Sequence, residues 1–273
     1  MHNSWDFATS FSAILIYTVA AVLLSLRLKK AKTGLKLERA PKYMMVGLLG
    51  TSLHAMSLFG AVLTGFGLNL SFFYSLSLTA WLAGLMLPIA ALSKPVENLG
   101  IVIYPLAALF LLLQYLFHTE PAHMQAYTLA LQTHILLSLF AYSVLAIASV
   151  QAILLHIQDS HLRHKHPGGF IRALPSLTTM ETLLFEMILL GFLLLSLALL
   201  SGFMFIDDLF KQHLAHKTFF SLFAWIVFAI LLFGRYRFGW RGTTAITWTV
   251  AGFACLVLAY FGSKLALEII LKR

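Results

Sequence analysis

LQTHILLSLFAYSVLAIASVQAILLH, residues 131–156, contains no Asp, Glu, Lys or Arg. A bilayer core about 30 Å thick is crossed by roughly 20 apolar residues of helix rising about 1.5 Å each. The stretch therefore reads as a membrane-spanning helix with residues to spare. Within it His134, Ser138 and Tyr142 recur at four-residue steps. Side chains at i and i+4 stack on one helix face, so an otherwise oily segment carries a polar stripe. In a membrane such a stripe is either hydrogen-bonding glue between helices or the wall of a site.

The rest of the chain extends the same pattern. Of 273 residues, 60% are hydrophobic and 11% charged, against about 25% charged in soluble domains. Apolar runs recur near 7–26, 43–65, 72–92, 100–117, 131–156, 184–206, 218–234 and 243–263. The expected fold is all-α: a polytopic bundle of about eight transmembrane helices, forming one domain over residues 1–273. The first run is longer than a signal-peptide core and lacks a basic flank and a small-residue cleavage site, so it is expected to be a retained span.

The formal net charge of +9 follows topology rather than a nucleic-acid face. Seven basic residues lie in RLKKAKTGLKLERAPK (27–42); with Lys94, Arg163, Lys165, Arg172, Arg235, Arg237 and Arg241, 14 fall in alternate loops. The other side holds five: Lys211, Lys217, Lys264, Lys272 and Arg273. The positive-inside rule then puts both termini outside the cytoplasm. The partners expected for this charge are anionic lipid headgroups of a bacterial cytoplasmic (inner) membrane, not nucleic acid. A single cysteine, Cys255, excludes an intramolecular disulfide, a CxxC pair and a thiolate metal cluster. No Walker loop, HExxH or GxSxG occurs, which removes ATP-driven transport and the common hydrolases.

Local signals place the ends of elements. Thr178 with Glu181 three residues on has the form of a capping box for the sixth helix. Pro121 suits the first turn of a helix leading into the fifth span. IDDLFKQHLAHK, 206–217, has the composition of a short surface helix.

Two histidines lie within spans, His134 and His54. His54 sits on a small-residue face with Gly47, Gly50, Thr51 and Ala61, the kind of surface on which helices approach closely. Neutral imidazole is a good axial ligand for haem iron, and the same residue type also serves as a plain interhelical hydrogen bond. By helical rise His54 lies about 15 Å below the end of its helix and His134 about 5 Å below the edge of its own. On that reckoning the pair does not share one haem. The cluster His156, His161, His164 and His166 lacks a zinc spacing and is interrupted by Arg163 and Lys165, so it reads as a solvated basic loop. His118, Glu120, His123, His213 and His216 share no ligand spacing either.

Several segments taken together resemble a known family. GWRGTTAITWTVAGFACLVLAYFGSKLALEIIL (239–271), HILLSLFAYSVLAIASVQAILL (134–155), TMETLLF, LLSGFMF and AWIVFAILLFGRYRFGWRG are similar in kind and order to the cytochrome c assembly family, the CcsA/CcmC haem-handling superfamily. LHAMSL around His54 extends the likeness to its shorter YpjD/HemX-like branch. The resemblance implies haem b held by membrane histidines, with His134 where the family places an axial ligand near the membrane edge. His54 is then a second ligand or the ligand of a separate site, and Ser138 and Tyr142 line the cavity. Family members that present haem carry a tryptophan-rich segment before the penultimate helix. Here that region reads FIDDLFKQHLAHKTFF, without a tryptophan, so a complete cytochrome c synthase is not expected.

The expected function is therefore haem binding or handling without bond-making catalysis. Two alternatives remain at this level: a cofactor-free regulatory or assembly partner of another membrane protein on the same scaffold, and a transporter accessory subunit.

Overall fold

The computed structural model describes residues 4–31, 41–63, 70–117, 128–164, 171, 174–205 and 212–265. Their order is α1 (Ser4–Ala31), α2 (Pro41–Leu63), α3 (Phe72–Ala91), a 3₁₀ turn (Glu97–Leu99), α4 (Gly100–Leu116), α5 (Leu129–Arg163), α6 (Leu177–Phe205), α7 (Gln212–Phe238) and α8 (Thr243–Val257), the last running into a π-turn at Leu258–Gly262. No strand occurs among the described residues. Among the described residues, seven helices are long and apolar enough to cross a membrane. The protein is an all-α polytopic membrane protein.

Helix ends depart from the sequence expectation where no breaker stands in the way. α5 continues two turns past residue 156 to Arg163, since nothing in IQDSHLR stops it before Pro167 and Gly168. The surface helix expected over 206–217 is, from Gln212 on, the first turns of α7; residues 206–211, like Pro121, lie outside the described residues. The capping box is displaced by two positions. Ser176 precedes α6, and its hydroxyl accepts from the Thr179 N–H at 3.2 Å, while Glu181 is drawn to another helix altogether. Its Oε1 accepts from the N–H of Gly242, the residue before α8, at 2.8 Å. An acid there both fills an orphan helix donor and complements the dipole. Gly239 and Gly242, at φ 67° and 58°, supply the left-handed backbone that brings that N–H into reach.

The chain packs as two compact units, residues 1–125 with 161–175, and residues 126–160 with 176–273. In the first, α1 presents Phe7, Phe11, Leu15, Val19, Val22 and Leu26 outward and buries Ala13, Tyr17, Ala20, Leu24 and Leu28. The outward stripe suits acyl chains. With no water to drive helices together, association rests on close packing and interhelical hydrogen bonds. Glycines make that packing close: a Cβ on Gly47 would run into the Tyr104 ring, and one on Gly50 would lie 2.9 Å from the Tyr17 ring. The two tyrosine rings stack at 5.7 Å.

In the second unit α5 through α8 use the same device. Gly191 receives the Leu145 side chain, and a Cβ on Gly252 would lie 2.9 Å from Phe228. The Trp225 indole on α7 stacks on Phe192 of α6 and donates to Ser196 Oγ at 2.8 Å. The Gln151 amide of α5 donates to the Met180 carbonyl of α6 at 3.1 Å.

Candidate functional site

His134 lies in the second turn of α5, half-buried against α6. Its Nδ1 is 3.0 Å from the Ala198 carbonyl oxygen and 3.1 Å from Ser201 Oγ. A carbonyl can only accept, so Nδ1 carries the proton. The Ser201 hydroxyl spends its own hydrogen on the same Ala198 oxygen, at 2.8 Å, and so its oxygen faces Nδ1–H as a second acceptor. Protonation at Nδ1 leaves the Nε2 lone pair available. A backbone carbonyl that fixes one imidazole nitrogen while the other keeps its lone pair is the arrangement by which proteins hold histidine as a metal ligand.

Space for the ring comes from Gly202. A Cβ there would stand 2.9 Å from His134 Cε1 and 3.3 Å from Nδ1. Any larger residue would push the imidazole off α6. Ala198, Ser201 and Gly202 seat the His134 ring, and the polar stripe on α5 does not reveal them. Their one trace in the sequence is the small pair Ser201–Gly202 inside an apolar run.

The other stripe residues take different roles. Ser138 is half-buried one turn along from His134. Tyr142 is buried, and its hydroxyl donates to the Leu256 carbonyl at 2.8 Å, just before the π-turn. Its ring meets Tyr260 at 6.0 Å and Phe261 at 6.1 Å. Tyr142 thus ties α5 to α8 where the winding of α8 loosens.

His54 belongs to the first unit and is wholly buried. Tyr17 Oη lies 3.1 Å from Nδ1 and Ser77 Oγ 2.9 Å from Nε2. One ring nitrogen donates and the other accepts, so a neutral imidazole is satisfied at both ends. The triad joins α1, α2 and α3. Around it Trp81 Nε1 donates to the Thr51 carbonyl at 2.9 Å, Ser10 and Ser57 share a hydrogen bond at 2.8 Å, and Tyr74 bonds the Leu58 carbonyl. Ala61, expected on the same face, lies outside the described side chains.

Among the described residues no group of three or more His, Cys, Asp or Glu side chains is arranged to hold a metal ion. His156, His161, His164 and His216 are exposed. His118, Glu120, His123, His166 and the His213 side chain lie outside the described residues.

The family described as Cytochrome C assembly protein matches residues 43–271. Inner membrane protein YpjD of Escherichia coli is 37% identical over 148 residues, 54% of this chain and 56% of the relative. Protein HemX of Brevibacillus brevis is 28% identical over 136 residues, 48% of this chain and 49% of the relative. Cytochrome c biogenesis protein CcsA of Chlamydomonas reinhardtii is 29% identical over 139 residues, 50% of this chain and 38% of the relative. The chain spans about half the length of the curated relatives it matches. No solved structure matches it. With most of its length covered by the family, this chain belongs to the cytochrome c assembly proteins.

Proposed function

We propose that the protein binds or hands over haem in a bacterial cytoplasmic membrane, with His134 Nε2 as an axial ligand to the iron of haem b. The observation that carries the reading is the Nδ1–H bond to the Ala198 carbonyl, which fixes the tautomer and leaves Nε2 as the donor. Family membership supports haem as the cofactor or cargo, and the name of the Escherichia coli relative supports the inner membrane. Bound haem would supply an iron centre whose redox poise follows its axial ligand and the burial around it. The chain's own part is to hold and orient the imidazole, through Ala198, Ser201 and the space at Gly202. In this reading the role is holding or transfer of haem, without bond-making catalysis. Residues 205–220 contain no tryptophan, which favours a holder or relay over a synthase that displays haem.

His54 reads differently from a ligand. With both nitrogens engaged inside the first unit, it acts as an interhelical lock among α1, α2 and α3.

An absorption spectrum of protein purified from haem-replete cells tests both assignments. The expected result is a Soret band that His134→Ala removes or shifts and that His54→Ala leaves in place. A protein without the band, or a band indifferent to His134→Ala, refutes the ligand assignment.

A further inference from the structure

The span in α7 ends at Phe238 and the span in α8 begins at Thr243, so the turn at 239–242 lies at a membrane edge. That turn is held firmly from within. Arg235 donates from Nη1 to the Trp240 carbonyl at 3.1 Å and sets its guanidinium 4.6 Å from the centre of the Phe185 ring on α6. The Trp240 N–H donates to the Gly234 carbonyl at 3.2 Å, and its ring packs on Trp248 at 5.5 Å. Glu181, the acid that reaches this turn, has Oε1 occupied by the Gly242 N–H.

Its outer surface is basic and aromatic. Tyr236, Arg237, Phe238 and Arg241 are all exposed, Tyr236 at 91%. The Arg237 guanidinium stands 5.9 Å from the centre of the Phe238 ring, and that ring meets Phe233 at 6.1 Å. A guanidinium resting on a ring keeps its N–H groups for an outside acceptor. Among the described residues no carboxylate pairs with Arg237 or Arg241.

Arg237 also heads an apolar stripe. Ile226, Ile230, Phe233 and Arg237 recur at helical spacing on one face of α7, and all four are exposed. From Ile226 to Arg237 the helix rises about 16 Å, close to the depth of one leaflet in a hydrocarbon core about 30 Å thick. A face that is apolar for one leaflet and then cationic has the profile of an anionic phospholipid. An acidic protein would match the charge and leave the stripe unused.

We propose that the α7–α8 turn is a specific binding site for an anionic phospholipid, with Arg237 and Arg241 on the headgroup phosphate and Phe233 and Phe238 against the upper acyl chain. Arginine suits this task, because its planar fork can give a phosphate two parallel hydrogen bonds. Arg235, Trp240 and Glu181 fix the turn before any lipid arrives, so little ordering accompanies binding. The site is independent of the haem reading.

Native mass spectrometry of the full-length, delipidated protein tests this, by titration with phosphatidylglycerol and with phosphatidylcholine of the same acyl chains. The wild type should bind its first phosphatidylglycerol about ten-fold more tightly, the scale of a charge-assisted hydrogen bond. Arg237→Gln with Arg241→Gln should abolish that preference. Lys29→Gln with Lys42→Gln, which removes the same charge from exposed positions elsewhere, should keep it. Phe233→Ala with Phe238→Ala should weaken both lipids alike. A wild type without preference, or an equal loss in the lysine pair, overturns the proposal, the latter by reducing it to bulk charge. Glycerol phosphate, which has the headgroup chemistry without acyl chains, should fail to displace the lipid at equal concentration. Displacement by it, or by a polyglutamate peptide that would point to an acidic protein partner, also overturns the lipid assignment.

Discussion

At the residue scale the two intramembrane histidines have opposite surroundings. His54 is closed, with hydroxyls on both nitrogens and no exposed surface. His134 is half-open, with one nitrogen committed to the α6 backbone. Replacing His54 by Ala leaves Tyr17 and Ser77 short of a buried partner. The expected loss is about 1–3 kcal/mol in folding stability, read as a lower thermal midpoint in detergent, with the haem spectrum of the surviving folded protein unchanged. Gly202→Ala makes the complementary change. Its Cβ would fall 2.9 Å from His134 Cε1, so the ring must move off α6. Haem affinity should drop about 10–100-fold, the usual effect of disturbing what orients a ligating histidine, with little change in melting. Unaltered affinity in Gly202→Ala would mean that the ring's seat on α6 is unimportant. The sequence makes His134 visible, because a four-residue polar rhythm inside an apolar run stands out. It hides Ser201, Gly202 and Ala198, because small residues in a membrane helix are common and a backbone carbonyl has no sequence signature.

At the scale of the element, α8 depends on others at both ends. Glu181 of α6 fills its first donor, and Tyr142 of α5 holds its later turns beside the π-turn. Glu181→Ala should cost about 1–2 kcal/mol, whereas Glu181→Gln, which keeps an acceptor for the Gly242 N–H, should recover most of it. Thermal unfolding of the two variants side by side checks this; equal losses would show that the carboxylate acts otherwise than as a cap. The Thr178–Glu181 spacing has the form of a local box, yet the structure starts α6 after Ser176 and sends Glu181 to Gly242. Local spacing cannot foresee this, because the competing donor comes from a turn 61 residues away, created by two glycines with positive φ. Helix cores were easier to read than helix ends. Twenty apolar residues admit little other than a helix in lipid, whereas α5 and α7 run on through polar sequence that contains no breaker.

For the whole molecule, composition alone carried the fold class: a chain this apolar and this sparsely charged reads as a polytopic helical membrane protein. Its division into two packed units has no comparable trace, since no linker or change of composition marks it. The distribution of Lys and Arg, 14 against five between alternate loops, predicts that both termini are non-cytoplasmic. With Cys255 first changed to Ala, a cysteine placed at Thr128 should react in intact cells with a membrane-impermeant maleimide, and one placed at Arg241 only after permeabilisation. The reverse pattern would invert the topology. The central claim, that His134 Nε2 binds haem iron, is tested most directly by resonance Raman of the ferrous haem-loaded protein. An iron–histidine stretch should be present in the wild type, absent in His134→Gly, and restored to that variant by added imidazole. An iron–histidine stretch that persists in His134→Gly without imidazole would contradict the account.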